Sequence, residues 1–543
     1  MRPSTKSFAL TLALVMGGAC AAEEELTPGP EDMTKAGDGK FDSSVEAVFV
    51  DMEFDGTLFA TSSFNAQQTI QNQLLYTIGH LNHERSVGRL DRLTITDVVT
   101  RSVAGGVEIS YHARMPVAWG KKTSVPTSYT FSLPRDVSFD GLERFTSSYK
   151  ESCVDFGAHD VDSGSMWYYY RPRRSGCSIA AGDTIDLTAT VTLSSITTTG
   201  KYPEYHKVWE DDALRVIAIF GKYEDGATDA SDAGIAAYNR FLSSTRTELA
   251  AHGVTTVPAE VPFNPGISLP DVTFTADLGD GRTIEIVALL VDNVRTPPAG
   301  FDARYAALSE RADLIAYNGH AGLGSNIRAL ARKGSWLPEQ YVIFFMNGCD
   351  TYAYVDGHMA QTRAAINPDD PTGTKYMEIV TNAMPSFFHS TAAATLSIVR
   401  GLMNVDAPLT YEKIFMQIDR AQVVLVSGEH DNEFVPGGGV GGEGEASWAG
   451  MSQAGTVVRD QETRFTTPVL ARGKYLFELE GTSDADLYVR VGEAPTVSLF
   501  DCRPYKGGSS EMCEVDLSTA AAVHVMVRGW ASRSDWSLTG TKL

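Results

Sequence analysis

Long apolar runs are scarce in these 543 residues. Phe8 to Met16 follows Arg2 and Lys6, is too short to span a bilayer and has the form of an export signal. No other stretch approaches the roughly 18 apolar residues of a membrane helix, so no spanning helix is expected. Positive charge is also in deficit: 45 Lys and Arg stand against 68 Asp and Glu, for a net charge of −23. That balance argues against nucleic acid as a partner and for a soluble, self-repelling surface. Cysteine is limited to six residues, with no CxxC pair, and there is no HExxH. Without such close-spaced ligands no metal and no cofactor is expected. A zinc site built from His320, Cys349 and His358 is the remaining metal reading, and it needs three ligands converging within about 2.0 to 2.3 Å of one point.

What is present suffices for three or four domains with cores of their own, since 43% of the residues are apolar. Residues 1–20 read as a signal peptide and 21–43 as an acidic, proline-bearing tether. Cleavage before Cys20 would leave a lipid-modified cysteine and a membrane anchor, whereas cleavage among Ala19, Cys20 and Ala21 would discard it. Residues 44–204 alternate with period two, as in Gly106 to Tyr111, Tyr129 to Leu133 and Thr184 to Leu193, and predict an all-β sandwich with one helix from Ser63 to about His83. Within it WYYYRPRR, Trp167 to Arg174, joins an aromatic cluster to three arginines. It is either a packed edge with solvated arginines or a ligand or partner site. From Leu214 the pattern changes to alternating strands and helices. LRVIAIF, a helix from about Asp232 to Ala251 closed by Gly253, and Ile284 to Val291 make 205–435 an α/β sheet domain. Pro436 to Ala449 opens a Gly-rich linker, 436–452, and the alternation of 453–543 predicts a small β-sandwich.

The chemistry concentrates between Ala312 and Ala353. Two apolar runs of strand length, Leu314 to Tyr317 and Tyr341 to Met346, flank a helical pattern over Ser325 to Lys333, which predicts a parallel strand, helix, strand unit. Reactive groups in such sheets gather beyond the carboxyl ends of the strands, and there His320 and Cys349 stand. An imidazole beside a thiol takes its proton or stabilises the thiolate. The backbone N–H groups of Cys349 and Ala321 are candidates for an oxyanion hole. The remaining cysteines divide by region, Cys153 with Cys177 and Cys502 with Cys513, with Cys20 for the lipid, which leaves Cys349 over. Glu224 and Asp225, at the end of the first strand, are candidates for a specificity pocket, as are Asp350 and Asp356 for a basic substrate side chain. Ser386 to His389 is expected to be a short strand, with His389 structural.

NGHAG after one strand and NGC after another resemble the His and Cys motifs of caspase-like cysteine peptidases, with the gingipain branch nearest. The resemblance covers about residues 205 to 435 and implies a caspase-like α/β sheet sandwich that cleaves polypeptides through a thioester. Ala321 stands where the family usually has Gly, and Asp350 where gingipains carry a second Cys. The segments DADLYVRVG, APTVSLFDCRPY, EMC and VHVMVRGW resemble the bacterial pre-peptidase C-terminal domain, whose disulfide Cys502 and Cys513 fit. Asp484 and Asp486 are its candidate Ca²⁺ carboxylates, and Tyr505, Trp530 and Trp536 its candidate polymer contacts. Together these readings imply an exported or lipid-anchored cysteine endopeptidase, with a catalytically inactive surface binding or scaffold protein as the alternative.

Overall fold

The computed structural model describes residues 42–542 apart from 159, 355–356, 429–431, 433, 437–447, 449, 471–472 and 518–520. The export signal, the tether up to residue 41, Cys20, Asp356 and most of the Gly-rich linker lie outside the described residues.

A nine-stranded sheet forms the centre, in the order Ser43–Ser44, Val424–Gly428, Met377–Asn382, Val342–Asn347, Leu314–Asn318, Ala213–Gly221, Arg282–Val291, Asp271–Gly279 and Thr255–Val257. Its five middle strands are parallel and the flanking pairs antiparallel. The middle strands are largely apolar because both faces are covered. Successive residues of Ala213–Gly221 therefore serve different cores. Val216, Ala218 and Phe220 pack under the helices Ala233–Glu248 and Phe388–Met403. Ile217 and Ile219 pack under Phe301–Ser309 and Ser325–Lys333. Asp232 caps the first of these helices by accepting from the N–H of Ile235 at 2.9 Å. The hairpin Asp271–Gly279 with Arg282–Val291 extends the sheet beyond the sequence expectation.

The expected N-terminal all-β sandwich is not formed. A single six-stranded antiparallel sheet, built on Val48–Ala60 and Gly106–Trp119, is faced by the helices Ala66–Leu74, Tyr76–Asn82 and Phe139–Tyr149 in place of a second sheet. Period-two alternation records that one face is buried, and says nothing of whether a sheet or helices bury it. The helix expected over Ser63 to His83 is two helices meeting at Leu75. The domain boundary near residue 204 is not a boundary between cores either. Tyr352, Ala353, Ala383, Val423 and Leu425 of the central domain share one apolar cluster with the N-terminal sheet, and Ser43–Ser44 is itself the edge strand of the central sheet. The C-terminal region is a two-sheet sandwich as expected, with four strands on one side and three on the other. Both expected disulfides, Cys153–Cys177 and Cys502–Cys513, are present.

Lys201, in the connection between the first two domains, lies 3.0 Å from Glu378 of the central sheet, and both side chains are fully buried. Tyr341 donates to the same carboxylate at 2.8 Å, and Tyr411 donates to it as well. Lys201→Met is expected to lower stability by roughly 3 to 5 kcal/mol, because it leaves a buried charge uncompensated. Lys201→Met/Glu378→Leu is expected to recover much of that loss. Chemical denaturation of the two variants checks this, and equal loss in both would refute it.

Candidate functional site

Three neighbouring strands of the central sheet end in asparagine: Leu314–Asn318, Val342–Asn347 and Met377–Asn382. Their amides are buried and bonded to one another. Asn347 donates through Nδ2 to Asn318 Oδ1 at 2.8 Å, and its own Oδ1 accepts from Asn382 at 3.1 Å, Gln422 at 3.1 Å and Ser386 at 3.0 Å. Asn382 also donates to the Gly348 carbonyl at 3.1 Å, and Thr395 to Asn318 at 2.9 Å. Buried amides without partners are costly, so this cluster ties the strand ends to each other and to the helix Phe388–Met403.

Asn318 and Asn347 are paired in register, and His320 and Cys349 each follow two residues beyond them. The loops are in contact: Gly319 N–H donates to the Asn347 carbonyl at 3.3 Å. A Cβ added to Gly348 would lie 2.7 Å from the Gly319 carbonyl oxygen and 3.3 Å from the Ala321 nitrogen. Only glycine allows that approach. The histidine and cysteine loops are thus brought together, with the Ala321 backbone beside the Cys349 turn.

His320 is exposed, and its Nε2 lies 2.9 Å from the Tyr223 carbonyl oxygen. A carbonyl only accepts, so Nε2 carries the proton and the neutral ring keeps a lone pair on Nδ1. The ring sits between Tyr223 and Phe388, at 5.3 and 5.4 Å. Asp232 holds the Tyr223 loop by accepting from the N–H groups of Tyr223 and Glu224 at 3.1 and 2.8 Å.

Cys349 is a half-buried free thiol that donates to the Ser386 carbonyl at 3.4 Å. Burial, aided by the charge of Asp350, pushes the thiol up, against hydrogen bonds from the Tyr168 hydroxyl and with the Ser386 backbone. Asp350 is wholly buried and holds a left-handed φ of 50°, a conformation aspartate tolerates, so the chain turns sharply after the cysteine. Asn82 of the N-terminal domain donates to its Oδ1 at 2.8 Å. Burial pushes this carboxyl up to about 6, against the Asn82 bond, the nearby charge of Arg171 and Tyr168.

The other residues singled out by sequence lie elsewhere or are committed. Asp350 is buried against Asn82, which corrects its candidacy as an exposed specificity charge. Asp225 accepts from Asn293 at 3.0 Å, and Glu224 lies on an exposed loop. Ser386 to His389 is not a strand: the helix begins at Phe388, and the His389 ring stacks on Phe387. Asp486 is paired with Arg503 at 2.6 Å, and Asp484 accepts from Gly508 N–H at 3.1 Å, so both candidate Ca²⁺ carboxylates have protein partners. Trp536 is buried in the C-terminal core, whereas Tyr505 and Trp530 are exposed. Among the described residues no three His, Cys, Asp or Glu side chains are grouped to hold a metal ion. Sequence reasoning missed Tyr223, Asp232, Asn82 and Asn382. The run of strand-terminal asparagines was the one signal that could have found the last of these.

Residues 464–529 match the bacterial pre-peptidase C-terminal domain, and the chain carries that domain. The chain is 40% identical over 81 residues to a protein of Helicobacter pylori named "Zinc metalloprotease", covering 15% of this chain and 32% of that protein. It is equally similar over 81 residues to the "Hemagglutinin/proteinase" of Vibrio cholerae, covering 13% of that protein. The chain therefore spans a third or less of these relatives. Among solved structures it is similar to "Solution structure of vEP C-ter 100", at 31% identity and a TM-score of 0.15, covering 19% of this chain and 98% of that one.

An aspartate that titrates at about 6 when folded and near 3.8 when unfolded holds more protons in the fold between those values. Stability therefore falls as pH rises through that window, and at pH 7 the ionised Asp350 costs about 3 kcal/mol. Asp350→Asn is expected to be the more stable protein at pH 7, by up to that amount, with the gain vanishing near pH 4. Denaturant titrations at the two pH values check it, and a gain independent of pH would contradict it.

Proposed function

We propose that this chain is an exported cysteine endopeptidase in which His320 is the general base and Cys349 the nucleophile. The observation that carries this reading is the matched placement of the two residues, each two positions beyond an in-register asparagine pair on adjacent parallel strands. The fixed proton on His320 Nε2 supports it, because the other ring nitrogen is then free to act as a base. The pre-peptidase C-terminal domain, shared with proteins named as proteases, is consistent with work on polypeptides.

In the proposed mechanism, Nδ1 takes the thiol proton as sulfur bonds to the scissile carbonyl carbon. The carbonyl electron pair moves to oxygen, where the N–H groups of Cys349 and Ala321 receive it; each such donor is worth ~3 kcal/mol in the transition state. Collapse breaks the C–N bond, and the departing amine takes the proton from His320. The thioester is then attacked by water, which gives a proton to Nδ1. Collapse of that second intermediate breaks the C–S bond, returns the Nδ1 proton to sulfur and releases the carboxylic acid, which loses its remaining proton to solvent. Because the resting thiol is pushed up by burial, proton removal belongs with the attack rather than with a standing ion pair. The polypeptide is the substrate, no cofactor takes part, and a lipid on Cys20 would tether the enzyme to a membrane.

The relatives named as zinc metalloproteases share only the C-terminal region with this chain, so their metal chemistry is not carried over. The rival reading, a binding or scaffold module with an idle dyad, draws on the same burial of the thiol.

The purified protein is expected to cleave an unfolded polypeptide, and Cys349→Ala and His320→Ala are each expected to lower kcat/KM by about 10³-fold or more, as for other nucleophile and base pairs. Iodoacetamide should abolish the activity and 1,10-phenanthroline should leave it. Cleavage that survives Cys349→Ala, or that the chelator removes, sinks the proposal.

A further inference from the structure

The loop that carries His320 continues into a turn with three consecutive residues in the left-handed region, Gly322 at φ 64°, Leu323 at 51° and Gly324 at 79°. Glycine adopts that backbone freely, whereas a leucine Cβ crowds the carbonyl oxygen that follows it. Leu323 is also 51% exposed and belongs to none of the four apolar clusters of the described residues. A single exposed leucine is ordinary on a protein surface, but one held against its backbone preference is not. Glycine or asparagine would occupy the same place with less strain and leave no large apolar side chain in water.

The turn is fixed beside the cysteine loop at both ends. Before it, the Ala321 backbone lies against Gly348; at its close, a Cβ added to Gly324 would lie 2.7 Å from the Tyr354 carbonyl oxygen. Leu323 is carried between those contacts, alongside the stretch from Cys349 to Tyr354. A second half-exposed apolar side chain stands at the entry to the helix Phe388–Met403. Phe387 is 49% exposed, and its chain neighbours touch both members of the dyad. The Ser386 carbonyl accepts from the Cys349 thiol at 3.4 Å, and the Phe388 ring lies 5.4 Å from that of His320. Tyr223, whose ring packs on His320 from another loop, is exposed as well. Three carboxylates on the surrounding loops, Asp350, Asp225 and Asp232, are bonded to Asn82, Asn293 and backbone N–H groups, whereas Glu224 is exposed.

We propose that Leu323 and Phe387 are specificity-determining residues of this site, and that it takes polypeptides with large apolar side chains flanking the scissile bond. Successive Cα atoms of a peptide are only about 3.8 Å apart, so a chain whose carbonyl carbon sits at Cys349 carries its flanking side chains past these two residues. Burial of a substrate leucine or phenylalanine against them removes apolar surface of both partners from water.

The inference rests on the peptidase reading, and binding and cleavage judge the two separately. Binding is measured on Cys349→Ala, which cannot form the thioester, with fluorescent peptides that differ only in a central Leu-Leu, Ala-Ala, Glu-Glu or Lys-Lys pair. The Leu-Leu peptide is expected to bind about tenfold more tightly than the Ala-Ala peptide. Adding Leu323→Asn is expected to remove most of that preference while raising the denaturation midpoint, because asparagine tolerates the left-handed backbone. Leu323→Met keeps the apolar bulk and is expected to keep the preference, and Phe387→Ala is expected to weaken it. A lower midpoint for Leu323→Asn would make the leucine a packing residue. Tightest binding of a charged pair would give the choice to a charge such as Glu224, and a Leu-Leu preference that is absent, or that survives either Leu323→Asn or Phe387→Ala, would remove these residues from the site; each outcome overturns the proposal. Cleavage of the Leu-Leu peptide by the wild-type chain judges the dyad: binding with the expected preference but without cleavage sinks the peptidase and leaves the apolar peptide site standing.

Discussion

The buried amide cluster of Asn318, Asn347 and Asn382 is the constraint on which the site depends. Parallel strands leave their last carbonyl and N–H groups facing the loops that follow, and without partners those groups would be costly to bury. Here three side-chain amides, with Gln422, Ser386 and Thr395, bond to one another and to the loop backbone. The cluster fixes where each loop departs, so His320 and Cys349 begin from two points held a strand spacing apart. An apolar cluster of similar volume would pack the strand ends, but it would not bond the Gly348 carbonyl and so would not define the cysteine turn.

The second organising fact is that the N-terminal sheet and the site share one core. Asp350 gains a hydrogen bond from Asn82 and the nearby charge of Arg171, yet burial dominates and its carboxyl is held high. This turn therefore stores an unfavourable ionised form at neutral pH, next to a thiol whose own ionisation burial also opposes. Such opposition is common where a site keeps a reactive group quiet until substrate displaces water. It also explains why the packing around residues 349 to 354 comes from two domains: a buried carboxylate needs donors, and the central loops alone do not supply Asn82 or Arg171.

Much of the central sheet was legible in the sequence because both of its faces are buried. Apolar runs such as LRVIAIF and the alternation with helices have no close competitor as a pattern. The placement of His320 and Cys349 beyond adjacent strand ends was legible for a related reason, since small residues and a reactive side chain just beyond an apolar run mark a strand end. The N-terminal domain was misread because alternation reports one buried face and not what buries it, and the helices Ala66–Leu74 and Phe139–Tyr149 do the burying. Ser386 to His389 was misread as a strand because Pro385 and two phenylalanines imitate one, whereas the backbone is already turning into the helix that begins at Phe388. The long-range contacts were illegible in principle. Asn82 and Asp350 are 268 positions apart, and nothing in either local sequence points to the other. WYYYRPRR stood out by composition, but its partner surface is made by folding.

The orientation of His320 decides how the proposed dyad would work. Its Nε2–H is held by a neutral carbonyl, that of Tyr223, and the loop bearing that carbonyl is itself fixed by Asp232 through backbone N–H groups. A carboxylate in that position would favour the imidazolium and with it a standing thiolate. A carbonyl sets the tautomer while giving the charged ring much less support. The burial that holds the Cys349 thiol up opposes a standing thiolate. In the proposed mechanism the proton therefore crosses only when a carbonyl carbon is present to accept the sulfur's electrons. The cost of separating charge is then met in the transition state by the groups around the sulfur and by the oxyanion donors. On the proposed reading, a thiol held in this way reacts slowly with small alkylating agents and faster with a bound substrate.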